Sequence, residues 1–173
     1  CVQGKEAGVS AMHDRVPVRV QNQDARRLSF DQRMFNPSRD QVRQFFFAAW
    51  RKHREREVLA GMDHLAVDII LLHPEYHPVL ENAERYQERE YRPEAGDTNP
   101  FLHMSMHLAI EEQLSIDQPP GLKAEFARLA AKSGDRHAAC HEIMECLAET
   151  VWRAQRDATE PDAQAYLECL KRR

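Results

Sequence analysis

Residues 99–114 read NPFLHMSMHLAIEEQL, and this stretch decides the fold class. The Asn99 side chain can cap a helix, and Pro100 suits the first helical turn, where no backbone N–H is needed. Apolar residues then recur at intervals of three and four, which is the spacing that gives a helix one apolar face. The stretch therefore predicts an amphipathic helix, and this helix carries His103 and His107 four residues apart.

Similar helix signals recur on both sides of this stretch. Caps, prolines and apolar periodicity predict further helices over residues 36–60, 63–73, 122–132, 135–155 and 161–170, with a shorter helical piece over residues 79–86. Asn36, Asp63 and Asp135 are the predicted N-terminal caps of three of them, Pro161 starts the last, and Gly134 is a predicted C-terminal cap. Strand-like alternation with turn signals is missing, so we predict an all-α, single-domain helical bundle of about five to six helices.

Length and composition fit one folded domain. The chain has 173 residues, of which 42% are hydrophobic and 30% charged, as is ordinary for a globular protein. Residues 1–33 are polar and have no sustained period, so we expect a flexible N-terminal extension followed by a helical metal-binding domain over residues 34–173.

Charge and hydropathy argue against two classes of partner. The formal net charge of −4 gives no basic field for nucleic acid, and no apolar run approaches the roughly 20 residues that span a bilayer. The four cysteines lack the spacing of a disulfide framework, which favours a reducing compartment and hence the cytoplasm. We therefore expect a cytoplasmic protein that binds neither nucleic acid nor membranes.

Two predicted helices carry the same pattern, H-x-x-x-H-x-x-x-E. The residues are His103, His107 and Glu111 on one helix, and His137, His141 and Glu145 on the other. Residues four apart lie about 6 Å apart along a helix and form one inclined row, so two such rows can face each other in a bundle. Imidazoles and carboxylates delivered in this way build mononuclear or dinuclear metal sites. We predict all six residues as metal ligands.

The segment HPEYH adds His73 and His77 as further candidate ligands. His73 ends an apolar helix and is the better candidate, whereas His77 is followed by Pro78. HPEYH can also serve only to turn the chain. For the histidines of the two helical rows, a buried hydrogen-bond network and a position on the surface both stay open as alternatives to metal binding.

The sequence from Met34 onward resembles a family of short bacterial proteins, the domain of unknown function eighteen forty-one. The resemblance rests on MFNPSRDQVRQFF, HPEYH, TNPFLHMSMHLAIEEQLSIDQPPG and DRHAACHEIMECL, and it covers about four-fifths of the chain. The residue kinds at the site also resemble hemerythrin-like bundles, and that resemblance implies two irons held by histidines and carboxylates.

Three functions follow as hypotheses. The first is a non-haem iron centre, mononuclear or di-iron, in oxygen or redox chemistry or its sensing. The second is a zinc or manganese hydrolase, with Glu111 or Glu145 as base. The third is a non-enzymatic adaptor with a structural metal or polar core. Phe45, Phe46, Phe47 and Trp50 support it if the wide face of the first helix is exposed, and one of them would then lie at a homodimer interface. The pattern assigns no catalytic residue.

Overall fold

The computed structural model describes residues 38–92 and 97–173, and the regular structure in this part of the chain is helical throughout. The α-helices are α1 (Arg39–Arg54), α2 (Met62–Leu71), α3 (His77–Leu80), α4 (Ala83–Tyr86), α5 (Pro100–Ile116), α6 (Leu122–Ser133), α7 (Arg136–Asp157) and α8 (Ala163–Lys171). The all-α class is confirmed, and the described residues contain more helices than the predicted five to six. The predicted extension over residues 1–33 lies outside the described residues.

The extra helices arise at the corner after α2. A 3-10 turn (Pro74–Tyr76) follows α2, and α3 and α4 are single turns in place of the one helix predicted over residues 79–86. Pro74 and Pro78 each lie in the first turn of their helical piece. Because proline has no N–H and blocks the preceding helical turn, the chain changes direction at each of them.

The predicted caps of the two long histidine helices are confirmed. The Asn99 side chain accepts hydrogen bonds from the N–H groups of Phe101 and Leu102, at 3.1 and 3.2 Å. Asp135 accepts from the N–H of His137 at 2.8 Å. Gly134 ends α6 with φ of 71°, a conformation that glycine adopts without strain. These local contacts fix where the histidine rows begin.

Three other predicted helix starts are wrong. α1 begins at Arg39 and is capped by Ser38, which forms a reciprocal capping box with Gln41, while the predicted cap Asn36 lies outside the described residues. The Asp63 carboxylate does not cap α2 and instead accepts from the Lys52 ammonium at 2.7 Å and the Ala60 N–H at 3.2 Å. α8 is capped by Asp162, the residue after Pro161.

The buried side chains form two apolar clusters. The N-terminal core is formed by α1, α2, Leu80 and the first turns of α5, and the C-terminal core by the rest of α5 with α6, α7 and α8. α5 joins them, because Met104 belongs to the N-terminal core and Ile110 to the C-terminal core. His107, between these two residues in the sequence, is buried with 4% exposure. A histidine thus lies where the two cores meet.

The expectation of cysteines without disulfides is wrong. Cys146 on α7 and Cys169 on α8 form a disulfide across a sequence separation of 23 residues. Their spacing hid the pair because the two cysteines approach only when α8 packs on α7. The inference of a reducing compartment from the cysteine pattern therefore loses its basis.

We expect Cys169→Ser to lower the free energy of unfolding by about 3 kcal/mol, because the disulfide restricts the unfolded chain. Urea denaturation of the oxidised protein, with and without dithiothreitol, measures this. Reductant should lower the midpoint of the wild type and leave that of the variant unchanged. Equal midpoints for the oxidised wild type and the variant would contradict the prediction.

Within the described residues, no helix has both the length and the apolar character that a membrane crossing needs.

Candidate metal centre

His73 is the most deeply buried histidine of the candidate site. It follows α2 and is 1% exposed. Its Nδ1 lies 2.7 Å from the carbonyl oxygen of Ile69. A carbonyl oxygen can only accept, so Nδ1 carries a proton, and in the neutral ring Nε2 is the nitrogen with the lone pair. A backbone carbonyl that holds the far nitrogen in this way is the usual support of a metal-binding imidazole.

The Nε2 atoms of the other histidines converge on the same place. His103 Nε2 lies 3.0 Å from His73 Nε2, and His107 Nε2 lies 3.2 Å from His141 Nε2. His137 Nε2 lies 3.0 Å from the same His141 nitrogen. The histidines of two α5 turns, two α7 turns and the α2 end therefore share one space.

The contacts of His141 cannot both be good hydrogen bonds. Its Nε2 has either one proton or one in-plane lone pair, yet it meets nitrogens of two other histidines within 3.2 Å. At least one nitrogen pair therefore lacks a well-directed proton between its members, which is costly in a partly buried site. A shared ion would remove this conflict, because each nitrogen would then direct its lone pair to the ion.

Four of these residues, His73, His103, His107 and His141, can each offer a ligand atom, and the four atoms lie within 4.8 Å of one another. This separation approaches that of nitrogens bound about 2 Å from one ion. The group is buried on the side of His73 and His107, and half-buried at His103 and His141. The arrangement can hold a metal ion and leaves one side toward solvent.

The family model described as "Domain of unknown function (DUF1841)" matches residues 38–172. The chain belongs to this family. The match spans both histidine helices and the corner with His73, so the candidate centre lies wholly inside the DUF1841 domain. No curated protein and no solved structure matches the chain.

The two predicted carboxylate ligands lie elsewhere in this DUF1841 chain. Glu145 is exposed and pairs with Arg173, with 2.7 Å between Oε2 and Nη1. Glu111 Oε1 lies 4.0 Å from the Cys140 Sγ, on the neighbouring helix. The structure thus brings the histidines of the two rows together and leaves both glutamates outside the group of four.

His77 also lies outside that group. Its Nε2 is 3.0 Å from the Ile70 carbonyl oxygen, to which it donates, and its ring packs on Trp50 with centroids 4.4 Å apart. The two histidines of HPEYH therefore have different partners, and only His73 faces the α5 and α7 histidines.

Tyr76 is a neighbour of the site that the sequence pattern did not indicate. Its ring stacks on His73 with centroids 5.5 Å apart and planes 4° apart, and it lies 5.7 Å from the ring of His103. Burial raises the pKa of its hydroxyl, and nearby Glu75 raises it further. The position of Tyr76 in HPEYH was the only sequence signal for a place near the site. That signal was weak, because proline also marks ordinary turns.

The environment favours the neutral form of the α5 and α7 histidines. Burial, with the neighbouring imidazoles, lowers the pKa of His103 to about 4 and that of His107 to about 3. Burial is also the main cause of the lowered pKa values of His137 and His141. Neutral imidazole is the form that binds a metal, so the environment favours the ligand state.

We expect the metal-free protein to lose stability as the pH falls from 7 to 5. The unfolded chain takes up protons on these histidines near pH 6.5, while in the folded chain His103 and His107 stay neutral to about pH 4 and 3. Their contribution is therefore present above pH 6.5 and is lost as the pH falls toward the folded values. Urea denaturation at both pH values measures it, and His103→Gln should reduce the difference. Equal unfolding free energies at pH 7 and pH 5 would contradict the prediction.

Proposed function

We propose that this chain binds one transition metal ion through His73, His103, His107 and His141, and that the ion is non-haem iron used in redox or oxygen chemistry or its sensing. The observation that carries the proposal is the convergence of imidazole nitrogens within 4.8 Å of one another. A group of neutral imidazoles without an ion would leave lone pairs facing one another in a partly buried space.

The donor set supports one ion in preference to two. Di-iron centres in helical bundles use carboxylates to bridge the ions and to reduce their mutual repulsion. The group of four contains only histidines, and both predicted bridging glutamates have other neighbours. Two divalent ions with neutral ligands alone would repel each other strongly at this separation.

The number of converging imidazoles supports iron over zinc. His137 Nε2, 3.0 Å from His141 Nε2, adds a fifth nitrogen beside the group of four. Structural zinc is almost always tetrahedral with four ligands, whereas iron accepts five or six. Manganese prefers oxygen ligands, so an all-nitrogen set disfavours it.

The two other hypotheses have weaker support. A zinc hydrolase needs a free base near the ion, but Glu145 pairs with Arg173 and Glu111 Oε1 lies beside the Cys140 thiol. The adaptor hypothesis rested on an exposed phenylalanine face, but Phe46 and Phe47 are buried, with 0% and 8% exposure. Phe45 stays half-buried, so this face offers less apolar surface for a homodimer than the sequence led us to expect.

Metal analysis of the full chain tests the proposal. Protein stripped with a chelator is reconstituted with Fe(II) without oxygen, desalted, and analysed for iron per chain. About one iron per chain is expected, with an absorption change on exposure to oxygen. About two irons would overturn the mononuclear assignment, and less than about half an iron would overturn iron binding. A colourless protein that carries zinc as purified, and that gives no response to oxygen after iron loading, would favour the hydrolase.

A further inference from the structure

We infer that the open side of this centre binds a small anion directly on the ion, so that the ligand or substrate of the site is anionic. The inference rests on the proposed metal binding. The position on the ion that the histidines leave free binds a small monovalent anion more tightly than a neutral ligand of similar size.

The charge of the donor set is the first step. The four candidate ligands are all imidazoles, and a ring nitrogen that binds an ion offers a lone pair in place of a proton, so each bound ring adds no charge. The Nδ1 of His73 donates to the Ile69 carbonyl, so Nε2 is the nitrogen that this ring can offer to the ion. A divalent ion held by neutral ligands keeps its full charge of 2+, whereas carboxylate or thiolate ligands would cancel part of it.

Access is the second step. His73 and His107 are buried, which closes one side of the group, while His103, His137 and His141 are half-buried. A ligand can therefore reach the ion from the side of these three residues without displacing either apolar core. An anion bound there would replace a water molecule and would face the ion at contact distance.

The acidic groups near the site do not cancel this charge by coordination. The nearby acidic residues are Glu75, two residues after His73, and Asp135, two residues before His137. Both side chains are exposed. Asp135 is already engaged as the cap of α7, and Glu111 lies beside Cys140. Water screens the exposed carboxylates, so an anion in contact with the ion feels mainly the ion. Glu75, at the corner next to His73, weakens anion binding without preventing it.

Co(II) is a suitable probe ion because its visible bands report changes in its ligands. The full chain loaded with Co(II) is titrated with sodium azide and, separately, with the neutral ligand imidazole. We expect azide to change the bands saturably and to bind more tightly than imidazole. Glu75→Gln should tighten azide by about two-fold and leave imidazole unchanged, because only the anion feels the removed charge. Glu145→Gln, whose carboxylate pairs with Arg173, is the matched control and should change neither.

Each alternative result has a distinct meaning. A protein that holds one cobalt per chain but shows no azide response overturns the anion inference and leaves the proposed metal site standing. Equal affinity for azide and imidazole, with Glu75→Gln changing both or neither, overturns the role of charge. Failure to bind cobalt or iron overturns the proposed function, and the anion inference with it.

Discussion

Replacing His107 by alanine is expected to lower the affinity of the chain for Fe(II) by more than about 100-fold, because loss of a ligand exceeds the effect of losing a supporting hydrogen bond. His107 is 4% exposed and lies between the two apolar cores, with its Nε2 3.2 Å from His141 Nε2. Water cannot easily replace its nitrogen at that depth. The measurement is iron per chain after equilibration with a chelator of known affinity.

His77→Ala is the matched control, since His77 belongs to the same segment as His73 but faces Trp50 and the Ile70 carbonyl. It should retain iron like the wild type. His107→Gln guards against a variant that loses iron because it unfolds, and circular dichroism of both His107 variants reports their fold. Folded His107 variants with wild-type iron affinity would remove His107 from the site, and an equal loss in His77→Ala would indicate an indirect effect.

The convergence of the histidines was predicted from their spacing, whereas the glutamates of the same pattern lie outside the group of four. Helix geometry explains the difference. Residues at i and i+4 lie about 6 Å apart along the axis, so two imidazoles can turn toward one ion. The glutamate at i+8 lies about 12 Å from the first histidine, well beyond the 4.8 Å that the group spans. Glu111 and Glu145 therefore extend past the site. A repeated spacing indicates a shared face, but the size of the site decides how much of that face it uses.

The place of His73 in the group of four depends on the direction of the chain at the corner after α2, which sequence patterns predict poorly. His73 follows α2 and His77 begins α3, yet both rings meet carbonyl oxygens of the last turn of α2. The 3-10 turn between them directs one ring toward α5 and the other toward Trp50. Two prolines predict a change of direction but not its angle. Only the packed structure separates the two histidines.

Local features of the fold were predictable where a few neighbouring residues determine them. Asn99 and Asp135 cap their helices through N–H groups two or three residues ahead, so their sequence context was sufficient. The burial of consecutive phenylalanines was not predictable in this way. Phe47 packs edge to face on Phe101 of α5 at 5.2 Å, and α2, α3 and α5 all contact α1, so other helices cover a wide arc of it. Such an arc is a property of the bundle and not of one helix.

Metal binding should also raise the thermal stability of the chain, by about 10 °C at an Fe(II) concentration about 1,000 times the Kd. The candidate ligands lie on α5, on α7 and just after α2, so only the folded chain brings them together. The ion therefore binds the folded state. Binding at that concentration adds about 4 kcal/mol to the free energy of unfolding, and each kcal/mol raises the Tm of a domain of this size by about 2–4 °C. Differential scanning calorimetry without oxygen measures the shift.

Two comparisons make the measurement specific. Mg²⁺ at the same concentration should leave Tm unchanged, because it prefers oxygen ligands and keeps its water shell. His107→Gln should lose the shift that Fe(II) causes, while His77→Ala keeps it. A shift of equal size in His107→Gln would place the stabilising ion elsewhere on the chain. An unchanged Tm in wild-type protein that carries one iron would mean that the ion binds the unfolded chain equally well. Ligands as far apart in sequence as His73 and His141 cannot hold an ion in the unfolded chain, so this result would overturn the proposed ligand set.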